Sequence, residues 1–401
     1  MADTGKPQAA LGQRALLPDL QFHVYANHAS ISPLSKPVSA AVDEVMAAQA
    51  REGVGFFPME VERRERLREQ LGTLIGADGQ SEIGLVANTT AGVVAIANSL
   101  PWRPRERVLV LAGEFPTNVT PWQQAAKRHD LELVWMYAED FRHDRATALA
   151  EFERHLADGI RMVAVSAVQF TTGQLMPLAT MGALCKRHGS EFFVDAIQAV
   201  GVVPMDVTTM GIDYLACGSH KWLMAPEGVG FVYVSRDKAE QLEPHLAGWI
   251  SHENAFEFLT GGPETLRYDR PFQHGARMLE SGTFNSIGCA GLSASVTLIQ
   301  SIGVENIHAH VQVWLDALEP ALTERGFESA RMAEAENRSG ILSVRPPDHR
   351  PAADWAAALA DQGISVASPA GWLRFAPHWP NALDEVEKVK SAVDAILNSR
   401  P

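Results

Sequence analysis

The chain has 401 residues, 46% of them hydrophobic, and a formal net charge of −14. A chain of this length belongs with two- to three-domain proteins and can bury about three quarters of its unfolded surface, so core size sets no limit. The acidic balance, without any dense cluster of Lys and Arg, argues against nucleic acid and anionic membrane as partners and for a small-molecule ligand.

No apolar stretch approaches the roughly 20 residues of a membrane helix. The N-terminal sequence has neither a basic start with an apolar core nor a lipidation motif, so a cytoplasmic protein is expected. Cys185, Cys217 and Cys289 are few, odd in number and widely spaced. They support neither a disulfide framework nor a metal site.

In chain order, residues 1–20 are polar and bear prolines, and are expected to be flexible or packed on the C-terminal part. An apolar run at 83–86 leads into Asn88-Thr89-Thr90-Ala91-Gly92, which opens an apolar, helix-like segment. The N–H groups and positive dipole end there suit a phosphate, and Thr89 and Thr90 can add hydroxyl donors. Alone, such a triplet is an ordinary helix cap.

Further apolar runs at 107–111, 133–136, 162–166, 191–194 and 230–234 alternate with helical patterns. Short strands, apolar on both faces and separated by helices, predict an α/β fold with a mainly parallel sheet wrapped by helices. The segments 261–263 and 345–351 read as loops. After Gly282 the texture changes to amphipathic helices at 289–301 and 304–325, a strand at 341–345 and a final helix at 384–397. The expected division is an N-terminal segment 1–20, a large domain 21–282 and a smaller α+β domain 283–401.

Two pieces carry chemistry: Gly218-Ser219-His220-Lys221-Trp222, and Asp195 with Gln198 one helical turn later. A lysine buried near other cations can lose its proton and condense with an aldehyde. A carboxylate held against a pyridine nitrogen keeps that ring protonated and electron-accepting. At ~4 Å and an effective dielectric of ~20 the pair interacts by roughly 4 kcal/mol.

These residues resemble the class V aminotransferase family of fold-type I pyridoxal-phosphate enzymes, which includes cysteine desulfurases, isopenicillin N epimerase and kynureninase. The likeness runs from Tyr25-Ala-Asn-His-Ala to Arg374. It implies pyridoxal 5'-phosphate as cofactor, a Schiff base on Lys221 and Asp195 at the ring nitrogen. It further implies Phe115 stacked on the ring, Gln198 at the phenolate oxygen, and Thr89, Thr90, Ser219 and His220 at the phosphate.

Cysteine desulfurases usually carry His where this chain has Phe115, a ring that stacks but relays no proton. They tend to carry Ser-Asn where it has Gln169-Phe170, which leaves Gln169 a weak candidate for a second phenolate contact. Glu280-Ser281-Gly282-Thr283-Phe284-Asn285 matches a segment whose Thr reaches the neighbouring subunit's cofactor, so Thr283 implies a homodimer with shared sites. Arg374 lies where the family grips the substrate's α-carboxylate, and Asn27 and His28 are expected in the same pocket.

The family's persulfide-storing cysteine would lie in the loop 362–371, which contains none. The expected activity is therefore a Cα-deprotonating cysteine or cystine carbon–sulfur lyase. Transamination to a keto acid is the alternative, followed by epimerisation or a catalytically silent relative.

Overall fold

The computed structural model describes residues 10–399. Its strands run in chain order β1 (Val24–Tyr25), β2 (Ile83–Val86), β3 (Arg107–Ala112), β4 (Glu132–Tyr137), β5 (Met162–Ser166) and β6 (Glu191–Asp195). They continue with β7 (Tyr214–Gly218), β8 (Gly230–Val234), β9 (Glu328–Ser329), β10 (Leu342–Arg345), β11 (Ile364–Ser365) and β12 (Leu373–Phe375). Seven of them form the central sheet in the order β2-β8-β7-β6-β5-β3-β4. The neighbours from β7 through β6, β5 and β3 to β4 pair in parallel, whereas β8 runs antiparallel to both β7 and β2. The expected α/β fold with a mainly parallel sheet is the one observed.

Burial explains the apolar runs. Every residue of β5, β6, β7 and β8 is buried, as strands with helices on both faces require. Strand β4 departs from the expected two-sided burial, because it is last in the order and its faces are incompletely covered. Trp135 and Tyr137 on it are exposed.

Helices α1 (Lys36–Glu52) and α2 (Phe57–Ile75) precede the sheet, and α3 (Thr89–Ser99) follows β2 directly. Helix α3 can lie close to β7 and β8 because Gly92 has no side chain. A Cβ there would come within 2.7 Å of Val232 and 2.9 Å of Ala216.

A second sheet of order β12-β10-β9 and the parallel pair β1-β11 lie beyond it. We propose on this basis the division at 282/283, although the helix Ser286–Ile302 packs back onto α1 and α2. Within the N-terminal segment, Leu16 and Leu17 are buried and the Gly12 amide donates to the Trp379 carbonyl at 2.7 Å. Residues 1–9 of that segment lie outside the described residues. Among the described residues no single helix is long and apolar enough to cross a membrane.

Candidate active site

The carboxyl ends of the sheet strands open onto a cavity of about 330 Å³, the place where open α/β sheets take their ligands. Asp195 enters it from the last residue of β6, Ser166 from the last residue of β5 and Lys221 from the loop after β7. Thr89 and Thr90, the first residues of α3, form another wall, with Phe115, Gln198 and His220 completing it. Seven residues singled out in the sequence thus meet in one cavity.

Burial sets the electrostatics. The Lys221 ammonium is pushed down from its ordinary 10.5 to about 8 by desolvation, which Asp195 opposes and Arg374 reinforces. The same desolvation pushes Asp195 up to about 6, against the Ile197 amide at 3.1 Å and the charge of Lys221. The lysine is therefore part-neutral near neutral pH. Asp195 is a carboxyl that a cationic partner would readily draw into its ionised form.

The Phe115 ring centroid lies 5.8 Å from Lys221 Nζ and packs edge-on against Phe170 at 5.3 Å. Gln198 accepts from the Trp222 indole at 2.9 Å and donates one amide proton to the Ala29 carbonyl at 3.1 Å. Its other amide proton remains for a ligand. Arg374 is 4% exposed, donating to the Phe170 carbonyl at 2.6 Å and to Ser30 Oγ at 2.9 Å. Its Nε has no partner, and burial lowers its pKa to about 10 with no nearby carboxylate to offset it.

At the start of α3, Asn88 accepts from the Ala91 amide at 2.9 Å and caps the helix. Thr90 Oγ1 pairs with Thr117 Oγ1 at 2.8 Å, whereas the buried Thr89 Oγ1 has no hydrogen-bond partner. A Cβ on Gly218 would stand 3.0 Å from that orphaned hydroxyl, so the glycine keeps the space beside it free. An unsatisfied hydroxyl at a positive helix end and a buried carboxyl at the sheet fit a phosphorylated nitrogen heterocycle.

Other sequence-predicted residues stand elsewhere. Ser219 is fully buried, and its hydroxyl is within bonding distance of the Pro226 and Val229 carbonyls, at 2.5 and 2.7 Å. His28 is buried beneath the lysine loop, its Nδ1 2.7 Å from Ser32 Oγ, and Ser32 in turn donates to the Lys221 carbonyl at 2.6 Å. Asn27 sits 3.5 Å from Ser365 Oγ and does not line the cavity. Thr283 lines a different cavity of about 540 Å³, with Glu280 and Asn285. Gln169 donates one amide proton to Glu114 at 3.1 Å and does not line the cavity.

Sequence reasoning passes over Glu114. This buried carboxyl follows β3, accepts from the Ser166 amide at 2.7 Å and pairs with the Ser166 hydroxyl. Its signal was a charged residue where an apolar run leaves the core, hidden beside the more conspicuous Phe115.

With this geometry in hand, comparison with known proteins is informative. The family model described as Aminotransferase class-V matches residues 24–372. An uncharacterized aminotransferase of Bacillus subtilis is 28% identical, the alignment covering 96% of each chain. Isopenicillin N epimerase of Streptomyces clavuligerus is 27% identical, covering 93% of this chain and 94% of that one. Among solved structures, a cysteine desulfurase from Thermococcus onnurineus superposes with a TM-score of 0.82 at 24% identity, covering 94% and 95% of the two chains.

Proposed function

Because the chain belongs to the class-V aminotransferase family, matched over residues 24–372, we propose that it is a pyridoxal-phosphate enzyme acting on an α-amino acid through Lys221. The reaction proposed is release of the sulfur-bearing group from cysteine or cystine. The observation that carries this reading is the pairing of a part-neutral lysine with a buried carboxyl in a cavity that none of the three cysteines lines.

The orphaned Thr89 hydroxyl, Thr90, His220 and the positive end of α3 would hold the phosphate. Asp195 would take the ring nitrogen, the spare amide proton of Gln198 the phenolate oxygen, and Phe115 a ring face. Bound there, the cofactor supplies an acceptor for the electrons left when a bond at the substrate's Cα breaks.

The chain's own residues supply the rest. Arg374, a buried cation with an unpartnered Nε, binds the α-carboxylate through charge-assisted hydrogen bonds and fixes the substrate's orientation. Lys221 Nζ moves the Cα proton, a role that contributes about 10² to 10⁴ in rate. The cysteines lie at most 1% exposed, and burial raises all three thiols, Cys289 to about 12. With no cysteine in the loop 362–371 either, sulfur leaves with the product and is not stored on the protein.

Transamination is the second reading, favoured by the relative from Bacillus subtilis, named as an aminotransferase. The position of Thr283, away from the Lys221 cavity of its own chain, supports a homodimer in which it serves a second copy.

The test is to mix the loaded protein with cysteine, cystine and a panel of other amino acids. Cofactor absorbance is followed alongside released sulfide, pyruvate and ammonia. Pyruvate and sulfur release with the cofactor spectrum restored at the end is the expected result. Stoichiometric conversion to the amine form of the cofactor, reversed by a keto acid, would make the enzyme a transaminase instead.

A further inference from the structure

Glu114 is a second buried carboxyl beside the cavity that the mechanism above leaves unused. Its Oε1 accepts from the Ser166 amide at 2.7 Å and from Gln169 Nε2 at 3.1 Å, and its Oε2 meets the Ser166 hydroxyl. Ser166 lines the cavity, and its Cα is the sheet partner of Asp195. The hydroxyl shared with Glu114 is thus also a hydroxyl the ligand can meet.

A serine hydroxyl has one proton to give. Against an ionised Glu114, that proton is committed to Oε2. Once Glu114 takes up a proton from solvent on Oε2, it becomes the donor to Ser166 Oγ, and the hydroxyl proton is released toward the cavity. One proton enters and no other bond changes.

We propose that Glu114 is a positioning residue whose protonation turns the Ser166 hydroxyl into a hydrogen-bond donor toward the bound cofactor. The inference rests on the reading of this cavity as the pyridoxal-phosphate site. The donor is wanted there, because Gln169, the other candidate beyond this strand end, directs an amide proton to Glu114 and does not line the cavity.

The surroundings favour the proton-bearing state. Burial pushes Glu114 up to about 7, and the negative charge of Asp195 on β6 adds to it, against the hydrogen bonds from Ser166 and Gln169. Lys221 acts on Asp195, and Arg374 acts on Lys221. Two carboxyls so close do not both ionise readily, and a cationic ring nitrogen that fixes Asp195 as the anion leaves the proton with Glu114.

The test is the dissociation constant of pyridoxal phosphate, measured from its absorbance between about pH 6 and about pH 9 for wild type and Glu114→Gln. The glutamine amide donates to Ser166 Oγ at every pH and so holds the donor state. Lys221 and Asp195 titrate in both proteins, and the part of the ratio that comes from the lost Glu114 charge acting on Asp195 is measured in a Ser166→Ala background.

The ratio of wild-type to variant constants is expected to be near one at the low end. It should rise about fivefold through pH 7, the worth of about one hydrogen bond. In a Ser166→Ala background the same substitution should lose most of that rise, keeping only what the Glu114 charge does to Asp195. A flat ratio with Ser166 present, or a rise undiminished with Ser166 absent, would overturn the inference. If wild type binds no pyridoxal phosphate at all, the reading of the site has failed rather than the role of Glu114.

Discussion

Arg374 shows how much a single buried side chain can say about a ligand. A guanidinium removed from water and left without a carboxylate is costly unless something anionic arrives. Its two hydrogen bonds, to the Phe170 carbonyl and to Ser30, hold it in place without neutralising it. Arg374→Ala should weaken amino-acid binding by about 2 to 5 kcal/mol while leaving pyridoxal-phosphate affinity nearly unchanged. Equilibrium titration of both ligands checks this, and unchanged amino-acid affinity would remove Arg374 from the substrate site.

That Asp195, Thr89 and Phe115 meet in one cavity was legible in the sequence because each stands just beyond an apolar run, and Lys221 because of the motif around it. That is where a parallel sheet delivers side chains to its carboxyl edge. The hydrogen-bond surroundings of Ser219 were not legible, since a fully buried hydroxyl turns to whichever carbonyls the chain brings near, and sequence spacing does not reveal those. The setting of His28 was hidden for a similar reason. It packs between Tyr25 and His378 with Nδ1 beside the Ser32 hydroxyl, and burial holds its imidazole well below the ordinary pKa.

At the scale of elements, the strands 107–111, 162–166, 191–194 and 230–234 were readable to within a residue or so from apolar runs bounded by turns and helices. Strand β7 was overlooked because its residues, Tyr214–Gly218, run straight into the lysine motif. The antiparallel course of β8 could not be read either, because a strand buried on both faces has the same composition in either direction.

One link between elements is built from charge. Glu280, 3% exposed, pairs with Arg68 of α2 at 2.6 Å and accepts from the Leu85 amide of β2 at 2.8 Å. Glu280→Gln takes from the buried Arg68 its more buried carboxylate partner, leaving only Glu65, and should destabilise the fold by about 3 kcal/mol. Denaturant unfolding with the urea slope unchanged would measure it. A loss below about 1 kcal/mol would mean that water or a neighbouring acid, such as Glu65, already satisfies Arg68.

Over the whole molecule, the large sheet fixes the Asp195, Ser166 and Glu114 side of the cavity. Arg374 comes from β12 of the small sheet, more than a hundred residues later in the chain. The proposed substrate grip and the proposed cofactor cradle thus belong to different sheets, which is why neither local propensity nor a single motif could place them together. The fold brings them close enough for Arg374 to act on the charge of Lys221. That lysine is the centre of the account.

The most direct measurement is to load the protein with pyridoxal phosphate, reduce it with borohydride and map the modified peptide by mass spectrometry. Modification at Lys221, and none in Lys221→Ala, is the predicted result. Modification at another lysine, or an undiminished signal in Lys221→Ala, would contradict the account.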